Sequence, residues 1–484
     1  MRIQAVNDVA IAHRGDYVLY WMIAARRSTW SFALDHAIAR AVELGRPLLV
    51  FEPLRVGYRW ASDRMHAFVL QGMATNARAF GAAGITYLPY VEPDPGAGHG
   101  LLAALAKRAC LVVTDEQPGF FLPHMVAAAG TQLPVRLEQV DGNGLLPLRA
   151  TERAYPTAAA FRRVLQRELP PHLLALPHPS PLAHVPTPLR DAEPPPLRGW
   201  ALATHAQLAA TPAALAALPI DHAVTPSPLR GGADAASEIL DDFIAHKLAR
   251  YGDGHNHPDD DAASGLSPWL HFGHISAHEI ASRVWASARW DPSRVANAKV
   301  TGSREGWWGL PAAHEAFLDE LVTWRELGYG FCFHRDDYDR WSSLPDWAQK
   351  TLTDHASDPR PERYTPAQLE RADTADPVWN AAQRQLVGEG RIHNYLRMLW
   401  GKKILEWSAS PKRALATLIE LNNKYSLDGR DPNSYSGIFW TLGRHDRPWA
   451  PLRPIFGSVR YMSSASTLKK LRMKKYLARW SGET

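Results

Sequence analysis

The chain has 484 residues, 46% of them hydrophobic and 21% charged, which excludes wholesale disorder and leaves room for two separate cores. With no run of about 18 apolar residues and no charged-then-apolar leader, the sequence predicts a cytoplasmic protein with no membrane partner. The net charge of +5 is by itself a weak pointer to nucleic acid, and Cys110 and Cys332 stand apart from any ligand set, which argues for small buried side chains and against a disulfide framework or a metal site.

Along residues 1–150, short β-branched or aromatic runs alternate with helical patterns. Strands are expected at 17–22, 47–54, 85–91 and 111–114, and helices at 32–44, 63–83, 101–109 and 122–129. That alternation predicts an α/β domain, a doubly wound parallel sheet with helices on both faces. No GxGxxG or GxxxxGK[ST] follows these strands, so neither glycine-rich phosphate motif is expected in its usual form. Residues 151–231 are rich in Pro and Ala, as in Glu193-Pro194-Pro195-Pro196, and read as an interdomain linker. From 232 to 484 the 3.6-residue period dominates and strands vanish, predicting an all-helical second domain.

That second domain carries the residues with chemistry. Ser264-Gly265-Leu266-Ser267-Pro268 places backbone N–H groups and hydroxyls at a loop entering a helix, an arrangement suited to an anion. Glu320 and Trp324, four apart, share one helix face. Asp376-Pro377 is a helix start, with Asp as N-cap and Pro at the first helical position. Trp379 lies in that helix's first turn, and Gly388 and Gly390 interrupt it. A second helix over 391–407 puts Arg397, Trp400 and Trp407 near one face, the two tryptophans about 10.5 Å apart along its axis. Tryptophans so spaced are usually packing, yet indoles at that distance also pass an electron hole stepwise, and eighteen tryptophans are many for this length. Residues 444–484 hold ten Lys or Arg against two acids, among them Lys469, Lys470, Arg472, Lys474, Lys475 and Arg479. Such a stretch is either a solvated basic helix or a phosphate-facing surface.

The segments LSPWLHFGHIS (266–276), FLDELVTWREL (317–327) and ADPVWNAAQ through RPIFGSVRYM (375–462) stand in the order, and nearly in the wording, of the flavin-binding domain of class II cyclobutane pyrimidine dimer photolyases. The chain resembles that branch of the photolyase/cryptochrome family strongly from 251 to 462 and weakly in the amino-terminal domain. The resemblance implies FAD, with the reduced anion as the active form, and UV-damaged DNA as partner, with a monomer and no obligatory protein partner expected. It implies that Trp400, Trp379 and Trp407 conduct electrons to the flavin and that Asn422 faces the flavin N5, where a carboxylate would disfavour the anion. It further implies that Arg397 pairs with Asp428 beside the ring system and that Tyr251, Ser264, Gly265, Leu266, Ser267, Asp428, Gly429 and Arg430 hold the rest of the cofactor. By the same resemblance, Glu320 is expected to donate a proton-bearing hydrogen bond to the dimer, and Trp324 and Trp440 to wall it. A deazaflavin or folate antenna in domain 1–150 is implied in the same way. Residues 23–27 (Ile-Ala-Ala-Arg-Arg) and 255–258 (His-Asn-His-Pro) depart from the family's pattern, and 299–313 is an insertion. The rival expectation is a cryptochrome-like blue-light receptor without repair activity.

Overall fold

Six short strands hydrogen-bond into one sheet in the order β1-β6-β5-β2-β3-β4: β1 (Ile3–Ala5), β2 (Tyr17–Trp21), β3 (Leu48–Leu54), β4 (Thr86–Val91), β5 (Ala109–Asp115) and β6 (Arg136–Val140). The computed structural model describes residues 1–295 and 298–482. All pairings are parallel except that of the edge strand β1 on β6. Every residue of β2 and β5 is buried, as expected of central parallel strands covered on both faces. Each large side chain so buried contributes about 1.5–3 kcal/mol.

The helices of this sheet follow the expected register. They are α1 (Phe32–Leu44), α2 (Asp63–Ala82), α3 (Leu101–Ala106) and α4 (Leu122–Gln132). Helix α1 starts where Ser31 accepts from the Leu34 N–H, an ordinary N-cap. Helix α3 stops three residues before the expected 109, because Ala109 and Cys110 already belong to the fully buried β5. Strands β1 and β6 were not expected. The sequence of β6, RLEQV, has the polarity of a loop, and its Glu138 is accommodated in the interior by His36 (2.7 Å) and Arg40 (3.0 Å). Both cysteines are free and buried.

Two compact units result, each assembled from three stretches of chain. The first holds Met1–Ala150, Pro171–Leu240 and Leu266–Ala286; the second holds Thr151–Pro170, Asp241–Gly265 and Ser287–Thr484. The Pro/Ala-rich region therefore contributes to both. The second unit is helical. Its elements used below are α5 (Ala158–Glu168), α6 (Ala312–Leu318), α7 (Arg325–Phe333), α8 (Pro377–Glu389), α9 (Asn394–Trp407), α10 (Pro411–Tyr425) and α11 (Pro432–Thr441). Among the described residues no helix is long and apolar enough to cross a membrane, and no group of three or more His, Cys, Asp or Glu is placed to hold a metal ion.

Candidate active site

Helix α8 begins as its sequence requires, with Asp376 accepting from the N–H groups of Val378 and Trp379. It runs through Gly388, against the expectation of a break there, because the ring of Trp480 packs on that glycine and takes the space of a side chain. It ends at Gly390, in the left-handed region at φ 78°. Helix α9 starts at Asn394, later than the expected 391, after an extended Arg391-Ile392-His393.

Together α8 and α9 bury Trp379, Trp400 and Trp407. The Trp379 indole N–H donates to the Trp400 carbonyl (3.1 Å), and that of Trp400 donates to Gln383 Oε1 (2.9 Å). The rings of Trp379 and Trp407 meet edge-on at 5.5 Å, and Tyr364, half-buried, meets Trp407 at 5.1 Å. Trp379, Trp407 and Tyr364 thus meet ring to ring, and Trp400 joins Trp379 through its backbone carbonyl. Tyr364 was not foreseen, since it lies on a loop without periodicity.

One turn before Trp400 on α9, Arg397 donates to Asp428 (2.8 Å) and Ser426 (3.2 Å). Ser426 in turn donates a very short bond to Asp428. The segment after α10 folds tightly. A side chain on Gly429 would stand 2.7 Å from the carbonyl oxygen of Asn422 and 2.9 Å from Asn423 Cα, so only glycine permits this approach. Arg430, at φ 68°, donates to the Asn423 carbonyl at 2.7 Å. Asn422 is buried and donates to Asn423 Oδ1 (3.1 Å) and Ser434 Oγ (2.9 Å).

Gly265 lies at φ 69°, and the position its Cβ would take is 3.6 Å from the Arg391 guanidinium. Ser264 and Gly265 close a stretch of the second unit beside a cation that the sequence reading did not name. Leu266 and Ser267 belong to the first unit, where Ser267 opens the short helix Ser267–His271. Tyr251 is buried, stacked on His255 at 4.5 Å and edge-on to Phe243 and Phe317.

Glu320 and Trp324 sit on a π-helical turn, Asp319–Trp324, that joins α6 to α7. An ordinary helix was expected here; such wide turns recur at functional sites. Burial pushes the Glu320 carboxyl up to about 7, and neighbouring Asp319 adds to this while Arg162 and Arg304 oppose it. Arg162 of α5 grips Asp319 with two bonds of 2.7 Å. The segment 299–313 is fastened to α5 and to Trp290: Gln166 Oε1 accepts from the N–H groups of Thr301 (3.0 Å) and Gly302 (2.7 Å), and Trp290 donates to the Trp308 carbonyl (2.6 Å).

Trp440, half-buried near the end of α11, lines a groove of about 470 Å³ with Tyr395, Met398, Trp449, Arg460 and Lys470. Glu320, Trp324 and Asn422 do not line it. Arg460 holds Asp446 (2.8 and 3.1 Å) and lies 4.0 Å over the Trp449 ring and 5.5 Å from that of Trp440. The sequence reading named neither Trp449 nor Arg460 as site residues; a spacing of nine from Trp440 across a loop has no periodicity to flag it. The basic carboxy-terminal stretch forms two short helices, Ser464–Lys470 and Lys474–Arg479. Within it, Arg472 pairs with Asp260 and Arg479 with Glu389, whereas Lys470 faces the groove with its ammonium 5.0 Å from the Tyr395 ring.

No protein-family model matches the chain. It is 35% identical over 482 residues to a deoxyribodipyrimidine photo-lyase of Methanothermobacter thermautotrophicus, covering 99% of this chain and 98% of that one. To the protein of the same name from Oryza sativa subsp. japonica it is 34% identical over 480 residues, covering 96% and 87%. Among solved structures it is similar in fold to a bacterial class III photolyase from Agrobacterium tumefaciens, with TM-score 0.68, 18% identity, and 96% and 86% of the two chains covered.

Proposed function

The chain belongs to the deoxyribodipyrimidine photolyase family, and from that premise of DNA photorepair we propose that it splits cyclobutane pyrimidine dimers in the manner of the class II branch. The observation that carries this reading is the buried file Trp400, Trp379, Trp407, rooted on the same helix as the Arg397–Asp428 pair.

The donor set suits FAD. Gly265, with Arg391 beside it, offers a side-chain-free backbone next to a cation, as a pyrophosphate requires. The tight Asn422–Arg430 turn offers amide, guanidinium and carboxylate groups to a planar heterocycle. FAD, when bound and reduced, supplies the light-absorbing electron donor. Ser264, Gly265 and Tyr251, with Leu266 and Ser267, are assigned to its phosphates and Arg397, Asn422, Asp428, Gly429 and Arg430 to its ring and ribose. Trp400, Trp379 and Trp407 carry electrons inward from the surface.

On the substrate side, a dimer stacks and pairs poorly, so extruding it costs little. Trp440, on the groove, and Trp324, on the π-helical turn, are assigned to its two walls. Glu320, neutral below about pH 7, donates a hydrogen bond to a carbonyl oxygen on which negative charge builds. Lys470 neutralises a phosphate along the groove.

The test is anaerobic photoreduction of the purified protein followed by blue light in the presence of a dimer-containing oligonucleotide. Disappearance of dimers with first-order dependence on light dose is expected. Dimers that persist while the bound flavin reduces normally would sink the proposal in favour of a receptor.

A further inference from the structure

Lys402 is 0% exposed on α9, and its neighbour shows how unusual that is. Lys403 bonds to Glu406 (2.9 Å) and lies 3.7 Å from Asp376, so its charge is balanced by two carboxylates. Among the described residues, no carboxylate lies within ion-pair distance of Lys402. Its ammonium donates to the Thr441 carbonyl at 2.7 Å and stands 4.9 Å from the centre of the Trp440 ring. Thr441 ends α11, so Lys402 caps the negative pole of that helix. Gly401 makes this possible, since a side chain there would run into Thr441 at 2.5 Å.

Capping alone is a poor reason to bury an ammonium. Apolar side chains in place of buried charges usually cost no stability, and water caps an exposed helix end at less expense. What Lys402 touches besides the cap is the inner face of an indole whose other surroundings include the groove. The charges acting on it come from the loop beyond α11: Asp446 favours the ammonium and Arg460 opposes it, while burial brings its pKa down to about 7. Glu406 of its own helix and Asp376 at the start of α8 are taken up by Lys403; α11 contributes only the indole and the carbonyl.

We propose that Lys402 is a positioning residue for the groove: packed against Trp440 and tied to Thr441, its ammonium fixes the plane of that indole, so that the ring meets the saturated ring of a damaged pyrimidine pair in one orientation. The second half of this statement rests on the reading of the groove as the DNA site; the first half does not. Cation and ring interact electrostatically through the ring quadrupole, so loss of the charge loosens the ring.

The experiment uses the full-length protein labelled with 5-fluorotryptophan, with the Trp440 resonance assigned by its loss in Trp440→Phe. Without DNA, that resonance is expected to shift with pH with a midpoint near neutrality, to stop shifting in Lys402→Met, and to stay at its acid position throughout in Lys402→Arg. With DNA at pH 6.5, Lys402→Met is expected to lose about fivefold in preference for a dimer-containing over an undamaged oligonucleotide, Lys402→Arg to keep it, and Lys402→Met to add nothing in a Trp440→Phe background. A Trp440 resonance that does not titrate, or titrates identically in Lys402→Met, overturns the proposal; so does an equal loss for both oligonucleotides. If the parent protein shows no preference for dimers, the DNA reading fails, and the fluorine titration still decides whether Lys402 governs the ring.

Discussion

Glu320 shows how one side chain takes its chemistry from its neighbours. A carboxyl is ordinarily ionised at pH 7, but crowding by protein and the adjacent Asp319 hold this one up to about 7, against Arg162 and Arg304. Its neutral, donating form is therefore present below that value and lost above it. The repair rate should fall as pH rises through about 7, and Glu320→Gln, which keeps a donor at every pH, should flatten that limb while lowering the plateau about tenfold. Rates of dimer loss under saturating light between pH 6 and 9 measure both. Arg162→Met removes an opposing charge and should move the limb to higher pH. Lys402 gives the opposite sign in stability. Its folded pKa of about 7 lies below the ordinary lysine value, so between about pH 7 and 10 the unfolded chain binds the extra proton and stability rises with pH. Urea denaturation at pH 7 and 9.5 should show the parent gaining about 3 kcal/mol on Lys402→Met over that interval. Glu320 was legible in its motif, and so was the upward direction of its shift. Arg162 and Lys402 were not, because what they touch lies 157 and 39 residues away along the chain.

At the scale of elements, the helices that carry the tryptophans were legible because two local signals agreed: the Asp-Pro start of α8 and the 3.6-residue recurrence along α9. Their meeting was not, since the 5.5 Å contact of Trp379 and Trp407 depends on how two helices cross. Trp379→Phe should leave the fold in place at a cost of about 1–3 kcal/mol, from a lost indole hydrogen bond and a small void. It should slow flavin photoreduction by tenfold or more, followed by absorbance under anaerobic illumination. A fold retained with photoreduction unchanged would return the file to plain packing. Where local signals disagreed, the reading went astray. β6 looked like a loop because its charged Glu138 finds its partners on α1. The π-turn under Glu320 looked like ordinary helix because nothing in DELVTW advertises a wider winding. Gly388 looked like a break until Trp480, more than ninety residues later, filled the space beside it.

At the scale of the molecule, the basic carboxy-terminal stretch was visible as charge, but not which of its members remain available to phosphate. Lys470 faces the groove, whereas Arg479 is held by Glu389. Affinity for DNA should fall linearly with the logarithm of salt concentration. Lys470→Gln should lower that slope by about one unit and Arg479→Gln should leave it unchanged, as fluorescence anisotropy across a salt series would record. The two units also have a bearing on inheritance. The backbone passes between them at residues 150, 170, 240, 265 and 286, so a single cut at any point leaves at least one unit short of a piece. Whichever unit such a cut leaves whole takes pieces of the other with it, so neither can be lent cleanly to another gene by one recombination event.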